Sequence, residues 1–154
     1  MRALLQRVSG ASVSVGGQEL ARTGPGFLIF IGIASQDVLQ DAQYLVDKTV
    51  NLRVFPDEEG RFNRSALDTK AELLVVSQFT LYADTRRGRR PDFTEAMAPE
   101  AAEALYQQTV ELYRATGLTV VTGRFREHML VTLTNDGPVT ILVDSVDRLR
   151  PRNG

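Results

Sequence analysis

The chain has 154 residues, of which 43% are hydrophobic and 24% are charged, and this composition is typical of a single globular domain with one well-packed core. It contains no cysteine and one histidine, His128, which excludes disulfides, a thiolate nucleophile and metal sites built on cysteine or on several histidines. The net charge is −1 and the pI about 5.9, so any contact with nucleic acid has to come from a local basic patch.

The first part of the chain predicts strands. Apolar and polar residues alternate along residues 3–21, and the Gly16-Gly17 pair within this stretch is typical of a two-residue hairpin turn. The run GFLIFIGIA at residues 26–34 is the longest apolar stretch, and it predicts a buried strand because it is too short to span a membrane. Since no leader segment is recognisable either, we expect a cytoplasmic protein.

Two stretches have the spacing of amphipathic helices. The first runs from Asp37 to about Asn51, with Ser35 or Asp37 available as the N-cap. The second begins at Pro99, which suits the first position of a helix, and Gly117 is a natural residue for its end. The apolar faces consist of Ala42, Leu45, Val46, Thr49 and Leu52 in the first helix and of Ala102, Leu105, Tyr106, Thr109, Leu112 and Tyr113 in the second.

The remaining segments predict further strands. Residues 53–63 indicate a short strand broken at Pro56 and a polar loop, and residues 71–83 indicate a second long buried strand. The last strands are expected at residues 118–125, 128–135 and 139–146. Strands that cluster around only two helices predict an α+β fold with a mixed, largely antiparallel sheet and a barrel-like core. We expect one domain over residues 1–146, followed by a polar tail at residues 147–154.

The densest positive charge lies in the loop DTRRGRRPDF at residues 84–93. Its arginines are Arg86, Arg87, Arg89 and Arg90. The loop is either a phosphate-binding surface or simply solvated. The sequence lacks a nucleophile elbow, a P-loop, a dinucleotide-binding glycine motif and a zinc-protease motif. From the residues alone, the chain is therefore an α+β domain with an arginine loop and no recognisable catalytic motif.

Two short stretches, VVSQFTL at residues 75–81 and NDGPVT at residues 135–140, resemble motifs of the D-aminoacyl-tRNA deacylase family. Members of this family are editing hydrolases that remove D-amino acids from mischarged tRNA. Other segments with the family's order and spacing are LLQRVSGASVSV, GRFNRS, ADTRRGRRPDF, EALY and TGRF, so that the resemblance extends to about Asp144. It implies a homodimeric enzyme that needs no cofactor or metal and hydrolyses the ester of D-aminoacyl-tRNA.

The resemblance implies that Ser77, Gln78, Phe79 and Thr80 line the pocket for the aminoacyl end of the tRNA and form the catalytic set. Two routes remain open: the Thr80 hydroxyl attacks the ester, or the 2′-hydroxyl of the terminal adenosine helps to activate water while the protein stabilises the oxyanion. The scarcity of histidine and cysteine favours the second route. Without the resemblance, Ser77 and Thr80 would be taken for residues that satisfy backbone groups at a strand end.

The resemblance also implies that Gly137 and Pro138 are joined by a cis peptide bond and enter the active site of the partner subunit. Pro138 cannot extend a ladder of hydrogen bonds, and a rigid turn aimed across a dimer interface explains its presence between two strands. A backbone wall close to the substrate α-carbon would accept a hydrogen and reject the side chain of an L-residue. Glycyl-tRNA would then also be hydrolysed. The alternative is a trans Gly-Pro bond in a plain hairpin turn.

Further residues have less specific expected roles. Arg7 is expected beside the Gly-Pro turn, Met129 beside the adenosine pocket and Phe125 against the terminal base, with core packing as the alternative for Phe125 and Met129. His128 is expected to be a surface residue. Arg86, Arg87, Arg89 and Arg90 are expected to contact acceptor-stem phosphates, with a supplementary contact from Arg148, Arg150 and Arg152 in the tail. The competing function is a non-catalytic nucleic-acid-binding protein that uses the Arg86–Arg90 loop.

Overall fold

The structure is a computed structural model and describes residues 1–151. The last residues of the expected tail, Arg152 among them, lie outside the described residues. The strands are β1 (Arg2–Val15), β2 (Gln18–Thr23), β3 (Gly26–Gly32), β4 (Phe55–Pro56), β5 (Phe62–Arg64), β6 (Glu72–Ser77), β7 (Val120–Thr122) and β8 (Leu130–Asp144). The helices are α1 (Leu39–Asn51), α2 (Ala66–Thr69) and α3 (Pro99–Arg114), with 3-10 turns at Phe79–Tyr82 and Ser145–Leu149.

Six strands form one mixed sheet, and β4 and β5 form a separate two-stranded ribbon. The order in the main sheet is β2-β1-β3-β6-β7, and β8 pairs with the other edge of β1. The β1 pairs with β2, β3 and β8 are antiparallel, whereas the pairs of β6 with β3 and β7 are parallel. This confirms the predicted α+β fold with a mixed, largely antiparallel sheet.

The sheet separates two hydrophobic cores because successive side chains of a strand point to opposite faces. One face packs against α1 and α3, through residues such as Leu5, Ile29 and Leu45. The other face is curved until the sheet is nearly closed, and it encloses a smaller core that includes Val13 and Leu74. The helices are also joined to each other, since the buried Tyr113 hydroxyl lies 3.2 Å from the Thr49 hydroxyl. Both helices therefore lie on one side of the sheet, as a single layer.

The predicted pair of strands at residues 128–135 and 139–146 is wrong in one respect, because β8 is a single continuous strand. It pairs with β1 along almost its whole length, from Arg2 opposite Asp144 to Ser14 opposite Leu130. Between the pairs Gln6–Thr140 and Val8–Asn135 the register shifts. The residues at 136–139 leave the ladder there as a bulge opposite Arg7, instead of forming a hairpin turn.

Other boundaries also differ from the predictions. The N-cap of α1 is Val38, because Asp37 accepts hydrogen bonds from the Met1 ammonium group and from the Ala34 N–H instead. Strand β6 ends at Ser77, where the predicted strand continued to residue 83, and a 3-10 turn follows. The first residues of the predicted polar tail contact α1, since Arg148 Nε donates a hydrogen bond to Asp41 Oδ1 at 3.1 Å.

Helices α1 and α3 follow their predicted spans, with Pro99 at the N-terminal turn of α3. The Gly16-Gly17 hairpin between β1 and β2 is also as predicted, and both glycines have the positive φ that this turn requires. Among residues 1–151, no helix is long and apolar enough to cross a membrane.

Candidate active site

A cavity of about 700 Å³ opens where the parallel strands β3 and β6 end. Ile31 and Ser77 are the last paired residues of these two strands, and both line the cavity. The rest of the wall comes from the segment before α3, the first turns of α3 and the turn before β8. The lining residues from those parts are Phe93, Ala96, Met97, Ala98, Pro99, Ala102, Phe125, Arg126, Glu127, His128 and Met129. A largely apolar cavity with a few polar groups at its rim is the usual form of a small-molecule site.

The chain turns sharply after Ser77, and this turn forms the floor of the cavity. The Gln78 N–H donates to the Ile31 carbonyl at 2.8 Å, and the Leu81 N–H then donates back to the Gln78 carbonyl at 3.2 Å. Gly32 permits this close packing, because a Cβ there would lie 2.8 Å from the Leu81 Cβ. The strand thus ends where the predicted catalytic set begins.

Three of the four predicted catalytic residues line the cavity, namely Ser77, Gln78 and Phe79. Thr80 does not; its side chain is exposed on the next position of the 3-10 turn and accepts a hydrogen bond from the Gln78 side-chain amide. The described part of the chain supplies no carboxylate or imidazole partner for the Thr80 hydroxyl. A nucleophilic Thr80 would therefore have to react without an adjacent base.

The rim of the cavity carries exposed aromatic surface. Phe79 is 58% exposed and packs edge-on against Phe93, with ring centroids 4.9 Å apart. Phe125 is half-buried and stacks at 5.7 Å on Tyr106 of α3. Phe125 and Met129 line the cavity and also pack against the two cores, so the alternative of core packing applies to both, and their predicted contact with the terminal adenosine stays a prediction.

His128 is exposed, as expected, and it also lies on the cavity wall. Burial raises the pKa of Tyr106, which keeps this phenol neutral, and its hydroxyl donates to the Val75 carbonyl at 2.9 Å. Among residues 1–151, no group of three potential metal ligands comes together.

Arg126 is a wall residue that the sequence did not indicate. Its φ is +65°, a left-handed conformation that costs a non-glycine residue about 1–2 kcal/mol. The predicted strand at residues 118–125 is shorter in the structure, because β7 ends at Thr122. A turn that contains Arg126 follows, closed by the hydrogen bond from the Glu127 N–H to the Arg124 carbonyl. The Arg126 guanidinium lies 3.4 Å from the Glu100 carboxylate, and both side chains are mostly exposed.

The Gly137–Pro138 peptide bond is cis, as the resemblance implies, and both residues are exposed. The Asn135 side chain closes the bulge, since it accepts from the Val139 N–H at 2.7 Å and donates to the Val139 carbonyl at 3.2 Å. Gly137 has a φ of +144°, and a Cβ there would lie 2.7 Å from the Val139 Cγ2 atom. Backbone geometry and crowding together favour glycine at this position.

Arg7 anchors the bulge from the opposite strand. Its Nε donates to the Asp136 carbonyl at 2.8 Å and its Nη1 to the Val54 carbonyl at 2.7 Å, while the guanidinium lies 5.3 Å from the Phe62 ring centre. Arg7 is only 8% exposed. The expected position of Arg7 beside the Gly-Pro segment is therefore what the structure shows, and the residue holds the bulge in place.

Within one chain, the Gly-Pro segment does not reach the cavity. Its neighbour Arg7 is four residues from Ala3, which shares a row of the sheet with Ser77 through Ile31. Four residues span about 13 Å along a strand, and three strand spacings span about 14 Å across the sheet. Neither Gly137 nor Pro138 lines the cavity of its own chain.

The arginine loop is closed at its base by two hydrogen bonds between Asp84 and Asp92, of 2.8 and 2.9 Å. Arg86 is paired within the loop, because its Nε lies 2.9 and 3.0 Å from the two Asp84 carboxylate oxygens. This side-chain hydrogen bond lowers the pKa of Asp84 to about 2. Arg87, Arg89 and Arg90 are exposed, and the loop leads directly into Phe93 on the cavity wall.

Two of the three tail arginines expected to reach phosphate, Arg148 and Arg150, are paired within the described part of the chain. Arg148 contacts Asp41, and Arg150 contacts Asp147 at 3.0 Å.

The chain is similar to known proteins along nearly its whole length. A model of the family described as D-Tyr-tRNA(Tyr) deacylase matches residues 4–144. A D-aminoacyl-tRNA deacylase of Roseiflexus sp. is 56% identical over 153 residues, and one of Dehalococcoides mccartyi is 54% identical over 152 residues. Each alignment covers 99% of this chain and 99% of the relative.

Two solved structures share the fold. One, described as c-Myc DNA Unwinding Element Binding Protein, is 41% identical with a TM-score of 0.89 and covers 94% of this chain and 98% of its own. The other, described as a probable eukaryotic D-amino acid tRNA deacylase, has a TM-score of 0.82 over 93% of this chain and 98% of its own. At 18% identity, the second supports the fold alone.

The fold, the cavity and these similarities define the chain as a hydrolase of the aminoacyl-tRNA deacylase class. Both motifs lie within the matched region: the first includes Ser77, Gln78 and Phe79 of the cavity floor, and the second contains the β8 bulge. The chain belongs to the D-Tyr-tRNA(Tyr) deacylase family.

Proposed function

We propose that the protein hydrolyses the ester bond of D-aminoacyl-tRNA and releases the free D-amino acid and the tRNA. The observation that carries the proposal is the position of Ser77, Gln78 and Phe79 on the floor of a cavity large enough for an aminoacyl-adenosine. The functional unit spans residues 1–146, with residues 147–154 as a tail, and it acts in the cytoplasm, where its substrate is made.

The backbone at the cavity floor is suited to hold a developing oxyanion. The N–H groups of Phe79 and Thr80 begin the 3-10 turn and have no acceptor among residues 1–151. Two adjacent free donors, one of them on the cavity-lining residue Phe79, are the usual form of an oxyanion hole. Ser77 and the Gln78 side chain lie beside them and orient the ester, while the exposed Phe79 ring covers it.

The attacking group is water, activated with help from the 2′-hydroxyl of the terminal adenosine. Water adds to the ester carbonyl, and the 3′-oxygen of the ribose leaves with a proton as the bond breaks. Support comes from Thr80, whose hydroxyl has no base beside it in the described chain and is occupied by the Gln78 amide. Phe125 and Met129 hold the adenosine, and Arg87, Arg89 and Arg90 contact the acceptor stem.

Thr80→Ala tests this assignment. We expect the variant to keep the deacylation rate within about tenfold of the unmodified protein, because only a positioning contact is lost. A tRNA ending in 2′-deoxyadenosine should instead lose most of the reaction with either protein. A Thr80→Ala variant that is inactive on the normal substrate but still binds tRNA would contradict the proposal.

Selection of D-residues is proposed to come from the Gly137–Pro138 segment of a second copy of the chain, in a homodimer. The segment is exposed, held by Arg7 and Asn135, and far from its own cavity, so a partner's cavity is the site that it is free to enter. A backbone wall beside the α-carbon excludes the Cβ of an L-residue, and a clash of about 3 kcal/mol gives roughly hundredfold discrimination. Glycyl-tRNA, which has no Cβ, escapes this exclusion and is a second substrate.

The proposal is tested by mixing the protein with D-Tyr-tRNA, L-Tyr-tRNA and glycyl-tRNA and following the loss of each ester. We expect D-Tyr-tRNA and glycyl-tRNA to be hydrolysed and L-Tyr-tRNA to persist at least about a hundred times longer. Equal rates for the D- and L-esters would rule out chiral selection. No loss of any ester would rule out the enzyme.

A second candidate function is non-catalytic nucleic-acid binding through the Arg86–Arg90 loop. It is favoured by the similarity to the protein described as c-Myc DNA Unwinding Element Binding Protein and by the four exposed arginines of this loop, of which only Arg86 has an ion-pair partner among residues 1–151. The same assay separates the two functions, since a binding protein would retain tRNA without hydrolysing its ester.

A further inference from the structure

Arg126 is in an unusual backbone conformation for its residue type. Among residues 1–151, only Lys70 and Arg126 combine a side chain with a φ in the left-handed region. Lys70 lies at the C-cap of α2, where left-handed geometry is common. Arg126 is the third residue of the turn from Arg124 to Glu127, a position at which a positive φ favours glycine or asparagine.

Nothing within the described chain offsets this unfavourable conformation. The partner of Arg126 is Glu100, at 3.4 Å, and the two side chains are 60% and 82% exposed. Exposed ion pairs of this kind contribute little to stability. The other charged groups of the turn, Arg124 and Glu127, contact each other at 3.9 Å. A strained residue at the edge of a site is more often explained by function than by folding.

The position of Arg126 indicates what that function is. The residue lines the cavity on the side of Phe125 and Met129, where the terminal adenosine is proposed to lie. The 5′-phosphate of an adenosine bound there connects it to the rest of the tRNA, so this phosphate has to lie where the tRNA chain leaves the cavity. A planar guanidinium that is mostly exposed and only weakly paired is well suited to bind a phosphate.

We propose that Arg126 binds the 5′-phosphate of the terminal nucleotide and exchanges Glu100 for this phosphate when substrate enters. The inference rests on the proposed function, because it takes the terminal adenosine to occupy the cavity. The proposal gives two groups of arginines different contacts on the tRNA. The exposed arginines of the loop at residues 84–93 would contact the acceptor stem, whereas Arg126 would contact only the phosphate of the terminal nucleotide.

The test uses two stable analogues, 3′-deoxy-3′-(D-tyrosylamino)adenosine with and without a 5′-methyl phosphate diester. With the unmodified protein at low salt, we expect the diester to lower the Kd about tenfold, as one charge-assisted phosphate contact would. In Arg126→Gly this ratio should fall to about one, with the Kd of the phosphate-free analogue unchanged and a Tm at least as high as before, because glycine suits the turn.

Matched variants complete the test. Arg124→Ala removes a neighbouring exposed arginine and should keep the tenfold ratio, whereas Glu100→Gln removes the competing carboxylate and should increase it. A ratio that persists in Arg126→Gly, or an equal loss of affinity for both analogues, would overturn the proposal. If neither analogue binds the unmodified protein, the proposal also fails, and the D-Tyr-tRNA assay then shows independently whether the proposed function fails with it.

Discussion

Arg7 shows how one side chain fixes a backbone segment. The guanidinium is almost fully buried and has no carboxylate within 4.0 Å among residues 1–151, so its charge is balanced by carbonyl oxygens and by the Phe62 ring. Burying a charged group is costly unless it is hydrogen-bonded, and here two donors of Arg7, Nε and Nη1, connect the β8 bulge to the Val54 carbonyl. The bulge is therefore held by contacts from outside its own strand.

Arg7→Met should remove this anchor and keep most of the buried apolar stem. Loss of two charge-assisted hydrogen bonds should lower the free energy of unfolding by about 2–4 kcal/mol, measured in urea, and should let L-Tyr-tRNA be hydrolysed alongside the D-ester. Arg22→Met is the matched control, because Arg22 is exposed and pairs with the nearby Glu19. A variant of Arg7 that keeps full selectivity would show that the bulge does not depend on this residue.

At the scale of single residues, the sequence predicted the site residues that belong to recognisable motifs, but it missed those whose role depends on an unusual backbone conformation. Ser77, Phe125 and Met129 were placed at the site by resemblance, and the structure brings them to one cavity. Thr80 was grouped with them, but a 3-10 turn moves its side chain off the wall. The positive φ of Arg126 has no signature in the sequence, since arginine is not a residue that signals a left-handed turn.

At the scale of elements, the arginine loop is held by one ion pair and by the hydrogen bonds at its base. Asp84 accepts from the Arg86 side chain and from the Arg86 N–H at 3.0 Å, while the Asp84–Asp92 bridge closes the loop base. Because Arg86 is paired with Asp84, the arginines of the loop without an ion-pair partner among residues 1–151 are Arg87, Arg89 and Arg90, and these are the ones proposed to contact phosphate.

The depressed pKa of Asp84 predicts how the loop responds to acid. A carboxyl with a folded pKa of about 2 and an ordinary value of 3.8 stabilises the loop above about pH 4 and loses this effect as the pH falls toward 2. We expect hydrogen exchange of the loop amides, corrected for the intrinsic effect of pH, to quicken over that interval. The titration of the Asp84 carboxyl by NMR checks the value, and Arg86→Gln should return it toward 3.8.

Helices were easier to predict than strand ends. The apolar spacing of α1 and α3 is local, and the structure keeps both spans almost unchanged. The end of β6 depends instead on Gly32 in another strand, which admits the turn after Ser77. Likewise, Asp37 is not the N-cap of α1 because the Met1 ammonium group binds it at 2.7 Å, a contact between distant parts of the sequence.

At the scale of the whole molecule, the fold class followed from the number of strands and helices, but the topology did not. Strand β1 pairs with three partners, and β3 pairs in parallel with β6 across the intervening helix α1. Such pairings join residues far apart in the chain, and no local pattern encodes them. The distance between the cavity and the Gly-Pro segment is a product of this topology.

The proposed sharing of the site between two subunits can be tested with two variants. Ala96→Trp should fill the cavity and leave an inactive chain with an intact Gly-Pro segment, whereas Pro138→Ala should leave an active cavity that no longer rejects L-esters. Coexpressed, the inactive chain should restore selectivity to its partner, so that L-ester hydrolysis falls while D-ester hydrolysis continues. If the site lies within one chain, adding Ala96→Trp would leave the D/L ratio of Pro138→Ala unchanged.

Because the bulge lies within the continuous strand β8, its length is constrained by the strand on either side. The ladder with β1 resumes on both sides, at Asn135 and at Thr140, so the four residues between them have fixed ends. If the ladder after Thr140 slipped by one residue, Ile141 and Val143 would turn away from the helices and Leu142 would turn inward, because neighbouring side chains alternate between faces. A deletion or insertion in this segment should therefore be tolerated only where the bulge itself absorbs it and the pairs at both ends are kept.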